Sequence, residues 1–85
     1  MESRIALISI IVEDKESIEK LNNIFPDYRQ YIVGRMGIPY HKRDISIISI
    51  AVDAPQDTIS ALSGKIGRLP GIVVKTAYSN LKLEN

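Results

Sequence analysis

Cysteine is absent from the 85 residues. Its absence excludes disulfides, thiolate metal sites, iron–sulfur ligation and cysteine nucleophiles together, so redox chemistry would need a cofactor held some other way. Histidine occurs once, as His41, in a polar stretch beside Lys42 and Arg43. A general base or metal ligand there lacks the second and third partners such sites need, and a solvated loop position accounts for it; neither a metal nor a cofactor is expected. No sign of charge dominates either: 11 basic and 10 acidic residues leave a net +1, with no general pull toward phosphate backbones or anionic membranes. No apolar run approaches the roughly 20 residues that span a bilayer, and no basic stretch followed by an apolar core and a cleavage site opens the chain. The expected compartment is the cytoplasm, without a membrane partner.

What the chain does contain is an echo. "LISIIVED", Leu7 to Asp14, returns forty residues later as "IISIAVDA", Ile47 to Ala54, and "YIVGR" from Tyr31 returns at the same offset as "GIVVK" from Gly71. Two echoes at one offset indicate two similar halves. A domain of this length buries only about 60 to 65% of its unfolded surface, so association between copies would help it.

Each half reads as strand, helix, strand. Arg4 to Val12 is apolar almost throughout and rich in isoleucine, which suits a central strand. Asp14 offers an N-cap, and Ile18, Leu21, Ile24 and Phe25 repeat at helical spacing until Pro26 stops the run. Tyr31 to Met36 supplies a second strand, and "GIPYHKRD" carries the Gly and Pro of a hairpin connection before Asp44 to Val52 resumes the isoleucine pattern. Pro55 suits the first turn of a second helix. Ile59, Leu62, Ile66 and Leu69 form its stripe, Gly67 and the "PG" at 70 and 71 end it, and Ile72 to Tyr78 makes the last strand. The order βαββαβ predicts an α+β ferredoxin-like sandwich: a four-stranded antiparallel sheet of order 2-3-1-4 with two helices on one face. Residues 1–79 are expected to form the single domain and 80–85 a C-terminal tail.

Alternation along the strands assigns Ile8, Ile10 and Val12, with Ile48, Ile50 and Val52, to the helix-covered face, joined by Ile72 and Val74. The other face then carries Ile5, Leu7, Ser9 and Ile11 from the first strand and Ile45, Ile47, Ser49 and Ala51 from the third, with Arg35 and Lys75 on the flanking strands. If solvent covered that face, its aliphatic side chains would form one contiguous patch of the kind that marks a contact surface. An oligomer interface through Ile5, Leu7, Ser9, Ile45, Ile47 and Ser49 is one expectation; a twisted sheet partly covered by the tail after Ser79 is the other.

Three further features carry possible chemistry. Glu13 and Asp14 stand at a strand-to-helix turn and would suit metal or amine binding, while capping gives Asp14 a sufficient structural reason. "SGKIG", Ser63 to Gly67, fails as a phosphate-binding loop: the Walker pattern needs Gly and Ser or Thr where Ile59 and Ile66 stand, and amides inside a helix cannot cradle phosphate. RNA-recognition modules share this element order, yet they stack bases on aromatics of the two central strands, where this chain offers Ser9 and Ser49. No direct nucleic-acid binding is expected. On the outer side of the second helix, Ser60, Ala61, Gly64 and Arg68 form a smooth face; Gly64 is either a tolerated flaw or the place where a protein partner docks.

"DTISALSGKIGRLPGIVVKT", Asp57 to Thr76, resembles the C-terminal half of the iron-only hydrogenase system regulators of anaerobic bacteria, and "IIVED" at Ile10 to Asp14 and "RMGIP" at Arg35 to Pro39 extend the likeness over most of the chain. The resemblance implies an ACT-like ferredoxin fold and a regulatory setting, the family being named for its association with hydrogenase systems. It does not carry over a ligand. Amino-acid-sensing ACT domains commonly have a glycine in the first strand-to-helix turn, where this chain has "EDKES", and the related nickel-responsive repressor needs histidines and a cysteine that are missing here.

These readings converge on a non-enzymatic regulatory or sensor module, a homo-oligomer of two or four copies, with a small-molecule effector or a protein partner as its signal. By analogy of fold, an effector would sit near Glu13, Asp14 and Lys15, where amide donors gather at a helix start, with Arg35 and Gly37 arriving from a neighbouring copy. The alternative is a small ferredoxin-like dimeric enzyme with an inter-subunit pocket, for which Tyr31, Arg35 and His41 are the first residues to test.

Overall fold

The computed structural model describes residues 2–80; the expected tail beyond residue 80, and with it the alternative in which the tail covers the open sheet face, lies outside the described residues. Strand β1 (Arg4–Val12) leads into helix α1 (Glu16–Ile24) and a 3₁₀ segment (Phe25–Tyr31); β2 (Ile32–Tyr40), β3 (Ile45–Ala54), α2 (Gln56–Gly67) and β4 (Ile72–Tyr78) follow. The strands form one antiparallel sheet in the order β2-β3-β1-β4, with the helices packed on one face. This is the ferredoxin-like, ACT-like arrangement that the element order predicts.

The two central strands pair through nine residues, from Arg4 opposite Ala54 to Val12 opposite Ser46. Their inner side chains, Ile8, Ile10, Val12, Ile48, Ile50 and Val52, are all buried. Leu21 and Phe25 close over them from the first half, and Ile59, Leu62 and Ile66 from the second. Ile72 and Val74 of β4 pack at the margin of this core. At roughly 25 cal/mol per Å² of apolar surface removed from water, this inner layer supplies the main driving force for folding.

Three expectations are corrected in the first half. Pro26 does not stop the chain's helical course. It enters the first turn of the 3₁₀ segment, where a missing amide hydrogen costs nothing, and the tighter winding buries Phe25 and Tyr28. The second strand also outruns the expected hairpin: Gly37 and Pro39 lie within β2, and His41–Asp44 alone make the turn. An edge strand tolerates Pro39 because its amide side can face solvent. Asp44 closes the turn with φ 59°, a left-handed conformation that aspartate adopts more readily than most residues.

The third correction concerns Arg35. The β2–β3 register shifts between Ile32, which faces Val52, and Gly34, which faces Ala51. This bulge adds one unpaired residue and reverses the alternation beyond it. Arg35 therefore lies opposite buried Ile50, on the helix side of the sheet rather than on the open face. Lys75, opposite Ser9, does lie on the open face.

Candidate functional site

The open face is built in rows across the sheet. Val73, Ile11, Ile47 and Ile38 line up across all four strands, and Lys75, Ser9, Ser49 and Met36 form the next row. A third row runs through Ala77, Leu7, Ala51 and Gly34. Leu7 is 44% exposed, and Ile5, Ile11, Ile47, Val73, Met36, Ile38 and Tyr40 are also exposed. Of the residues predicted for an interface, Ile5, Leu7, Ser9 and Ile47 are exposed, and Ile45 and Ser49 half-buried, on this one surface. The bulge enlarges it beyond the sequence-based expectation, because it turns Met36, Ile38 and Tyr40 outward.

The first strand-to-helix turn is locked by its own backbone. The Asp14 carboxylate accepts the Glu16 amide at 3.0 Å, although the N-cap of α1 falls on Lys15, one residue later than the sequence predicts, and carries no side-chain cap. The Ser17 amide bonds the Asp14 carbonyl at 3.0 Å, the Ile18 amide bonds the Lys15 carbonyl at 3.1 Å, and the Glu13 amide bonds the Gly71 carbonyl at 2.7 Å. Fully buried Ser17 donates its hydroxyl to the Pro70 carbonyl at 2.6 Å. These amides are committed internally, so a ligand here would meet side chains. Lys15 Nζ lies 2.9 Å from an Asp44 carboxylate oxygen, tying the hairpin to the start of α1, although both groups are largely exposed and screened by water.

Two hollows open on the helix side, between the first helical layer and edge strand β2. One, of about 440 Å³, lies beside the hairpin and is lined by Lys15, Ile18, Asn22, Pro39 and His41, among others. The second, of about 290 Å³, is lined by Asn22, Phe25, Pro26, Arg29, Ile32 and Arg35. Within one chain, then, Glu13–Lys15 and Arg35 belong to different places. Gly37 faces the helix side opposite Ile48, with open space where a Cβ would stand. Arg29, Asn22 and Phe25 were not anticipated beside Arg35, since nothing local in the sequence places the 3₁₀ segment against β2.

The smooth face of α2 is also present. Ser60, Ala61 and Arg68 are exposed, and a Cβ on Gly64 would meet only an Arg68 guanidinium nitrogen, at 4.0 Å. Tyr31, Arg35 and His41, the residues an enzyme reading needs together, are separated: Tyr31 packs against the core, while Arg35 and His41 line different hollows. Among the described residues no three His, Asp or Glu side chains gather as a metal site would require, and no helix is long and apolar enough to cross a membrane.

A duplicated strand–helix–strand sheet of order 2-3-1-4 with both helices on one face is a ferredoxin-like, ACT-like architecture. Within that class, the chain belongs to the family of TM1266-like iron-only hydrogenase system regulators, whose model matches residues 4–76. The solved structure of the uncharacterized protein TM1266 from Thermotoga maritima is similar to it, with 31% identity and a TM-score of 0.86 over 91% of this chain and 98% of that one. A formyltetrahydrofolate deformylase from Pseudomonas putida KT2440 shares the fold alone, at 8% identity and a TM-score of 0.65; the match covers 91% of this chain and 29% of that chain. No curated protein matches the sequence.

Proposed function

We propose that this protein is a non-enzymatic regulatory module that works as a homo-oligomer, with the open sheet face buried between copies. The observation that carries the reading is the wholly aliphatic row Val73–Ile11–Ile47–Ile38, flanked by exposed Leu7 and Met36. A contiguous apolar surface of this kind is costly in water and is the usual mark of a contact face. The charged side chains in these rows and beside Ile5 are Lys75 and Asp53, of opposite sign. Family membership supports the regulatory role.

Light scattering over a concentration series tests the assembly. Wild-type protein is expected to be a dimer or tetramer, and the double variant Leu7→Lys with Ile47→Lys a folded monomer. A wild-type protein that stays monomeric, and is unaltered by the two lysines, would sink the reading.

A further inference from the structure

We propose that the hollow between the 3₁₀ segment and β2 is an oxyanion-binding site in which Arg29 and Arg35 hold the carboxylate or phosphate group of a small-molecule effector. The two arginines line the same 290 Å³ hollow, and no Asp or Glu lines it with them. Among the described residues neither arginine has an ion-pair partner; the ion pair found is Lys15 with Asp44. Two arginines beside one hollow with no carboxylate lining it give it a positive character, and an anion bound there can accept paired N–H donors from each fork.

Arg35 is held ready for this role. Its guanidinium carbon stacks 4.8 Å from the centre of the Phe25 ring, itself buried in the core, so the fork is oriented before a ligand arrives. Access is open on that side of the sheet: Gly37, two residues beyond Arg35 and facing the same way, has no atom within 4 Å of where a Cβ would stand. Asn22, whose amide can both donate and accept, borders this hollow and the larger 440 Å³ groove, so the rest of an effector has a direction in which to extend. The β2 bulge makes the arrangement: without the reversed alternation, Ile32 and Arg35 could not both face the helices. As the signal input of a regulator the site rests on the reading above, but the binding itself does not, because the hollow and the proposed oligomer face lie on opposite sides of the sheet.

The test is titration with inorganic phosphate and, separately, with succinate, at constant ionic strength in chloride, followed by calorimetry and by the Arg Nε–H resonances in NMR spectra. Saturable binding of at least one anion is expected, with a dissociation constant of about 1 mM or tighter. Which of the two binds separates a phosphorylated effector from a carboxylic acid. Arg29→Gln and Arg35→Gln are each expected to weaken binding at least about tenfold, whereas Lys75→Gln, which removes the same charge from the other face, leaves it unchanged. Should Arg35→Gln unfold on losing its contact with Phe25, Arg29→Gln decides the question alone. Absence of saturable binding to either anion, full affinity in Arg29→Gln, or an equal loss in Lys75→Gln overturns the proposal. Repeating the titration on the Leu7→Lys, Ile47→Lys protein separates the two readings. A monomer that binds the anion leaves this site standing whatever becomes of the oligomer, and an oligomer that binds neither anion removes this site alone.

Discussion

Gly71 shows how much of the fold turns on one residue. It has φ +65° in the turn from α2 to β4, and a Cβ added there would stand 2.6 Å from the Asp14 Cβ and 2.9 Å from the Asp14 amide nitrogen. The same turn receives the Glu13 amide and the Ser17 hydroxyl, so it fastens the end of the second half onto the first strand-to-helix turn. Gly71→Ala combines left-handed strain with a clash against backbone, and we expect a loss of about 3 kcal/mol in urea unfolding. Gly64 is the opposite case, a helix glycine with room for a Cβ. Gly64→Ala should raise stability by up to about 1 kcal/mol in the same assay. If α2 also docks a partner through Ser60, Ala61 and Arg68, Gly64→Leu should leave the fold intact and abolish that contact.

At the scale of the element, β2 is where simple alternation breaks down. Counting from Ile32, which faces the helices, a regular strand would bury Ile38; the bulge turns Ile38 outward, opposite Ile47 on the open face. Ile38→Lys separates the two arrangements. On the bulged strand the lysine stem lies along the sheet with its ammonium in water, so the folded subunit should lose less than about 1 kcal/mol while self-association weakens. On a regular strand the same substitution would bury an unpaired charge and cost about 3 kcal/mol or more. Thermal unfolding and light scattering on one sample distinguish them. Strands β1 and β3, by contrast, keep their alternation from end to end. Both are central, and a slip of one residue would carry a whole isoleucine set from core to solvent.

At the scale of the whole molecule, an 85-residue chain whose sheet is packed on one face and, among the described residues, bare on the other has a core of limited size. If assembly covers the bare face, folding and association are linked, and the melting temperature must rise with protein concentration. We expect a rise of several degrees between micromolar and near-millimolar protein, and a constant value in the Leu7→Lys, Ile47→Lys variant. A wild-type melting temperature independent of concentration would count against an oligomer.

The sequence by itself determined the element order, the two central strands, the helix stripes and hence the sheet topology. Those follow from hydrophobic periodicity, and a repeat at a fixed offset reinforces each half with the other. It also determined that the face opposite the helices carries Leu7, Ile11 and Ile47, since their neighbours Ile8, Ile10 and Ile48 had to be inside. Only the tertiary structure decided which way β2 faces, because a bulge depends on how a strand pairs with its neighbour and on the 3₁₀ segment that feeds it. That decision turned Arg35 toward Phe25 and Arg29, and Met36 and Ile38 toward the open face. The segments from Asn22 to Arg29 and from Ile32 to Arg35 carry no common pattern in the chain; they meet because the sheet edge and the first helical layer leave a space between them.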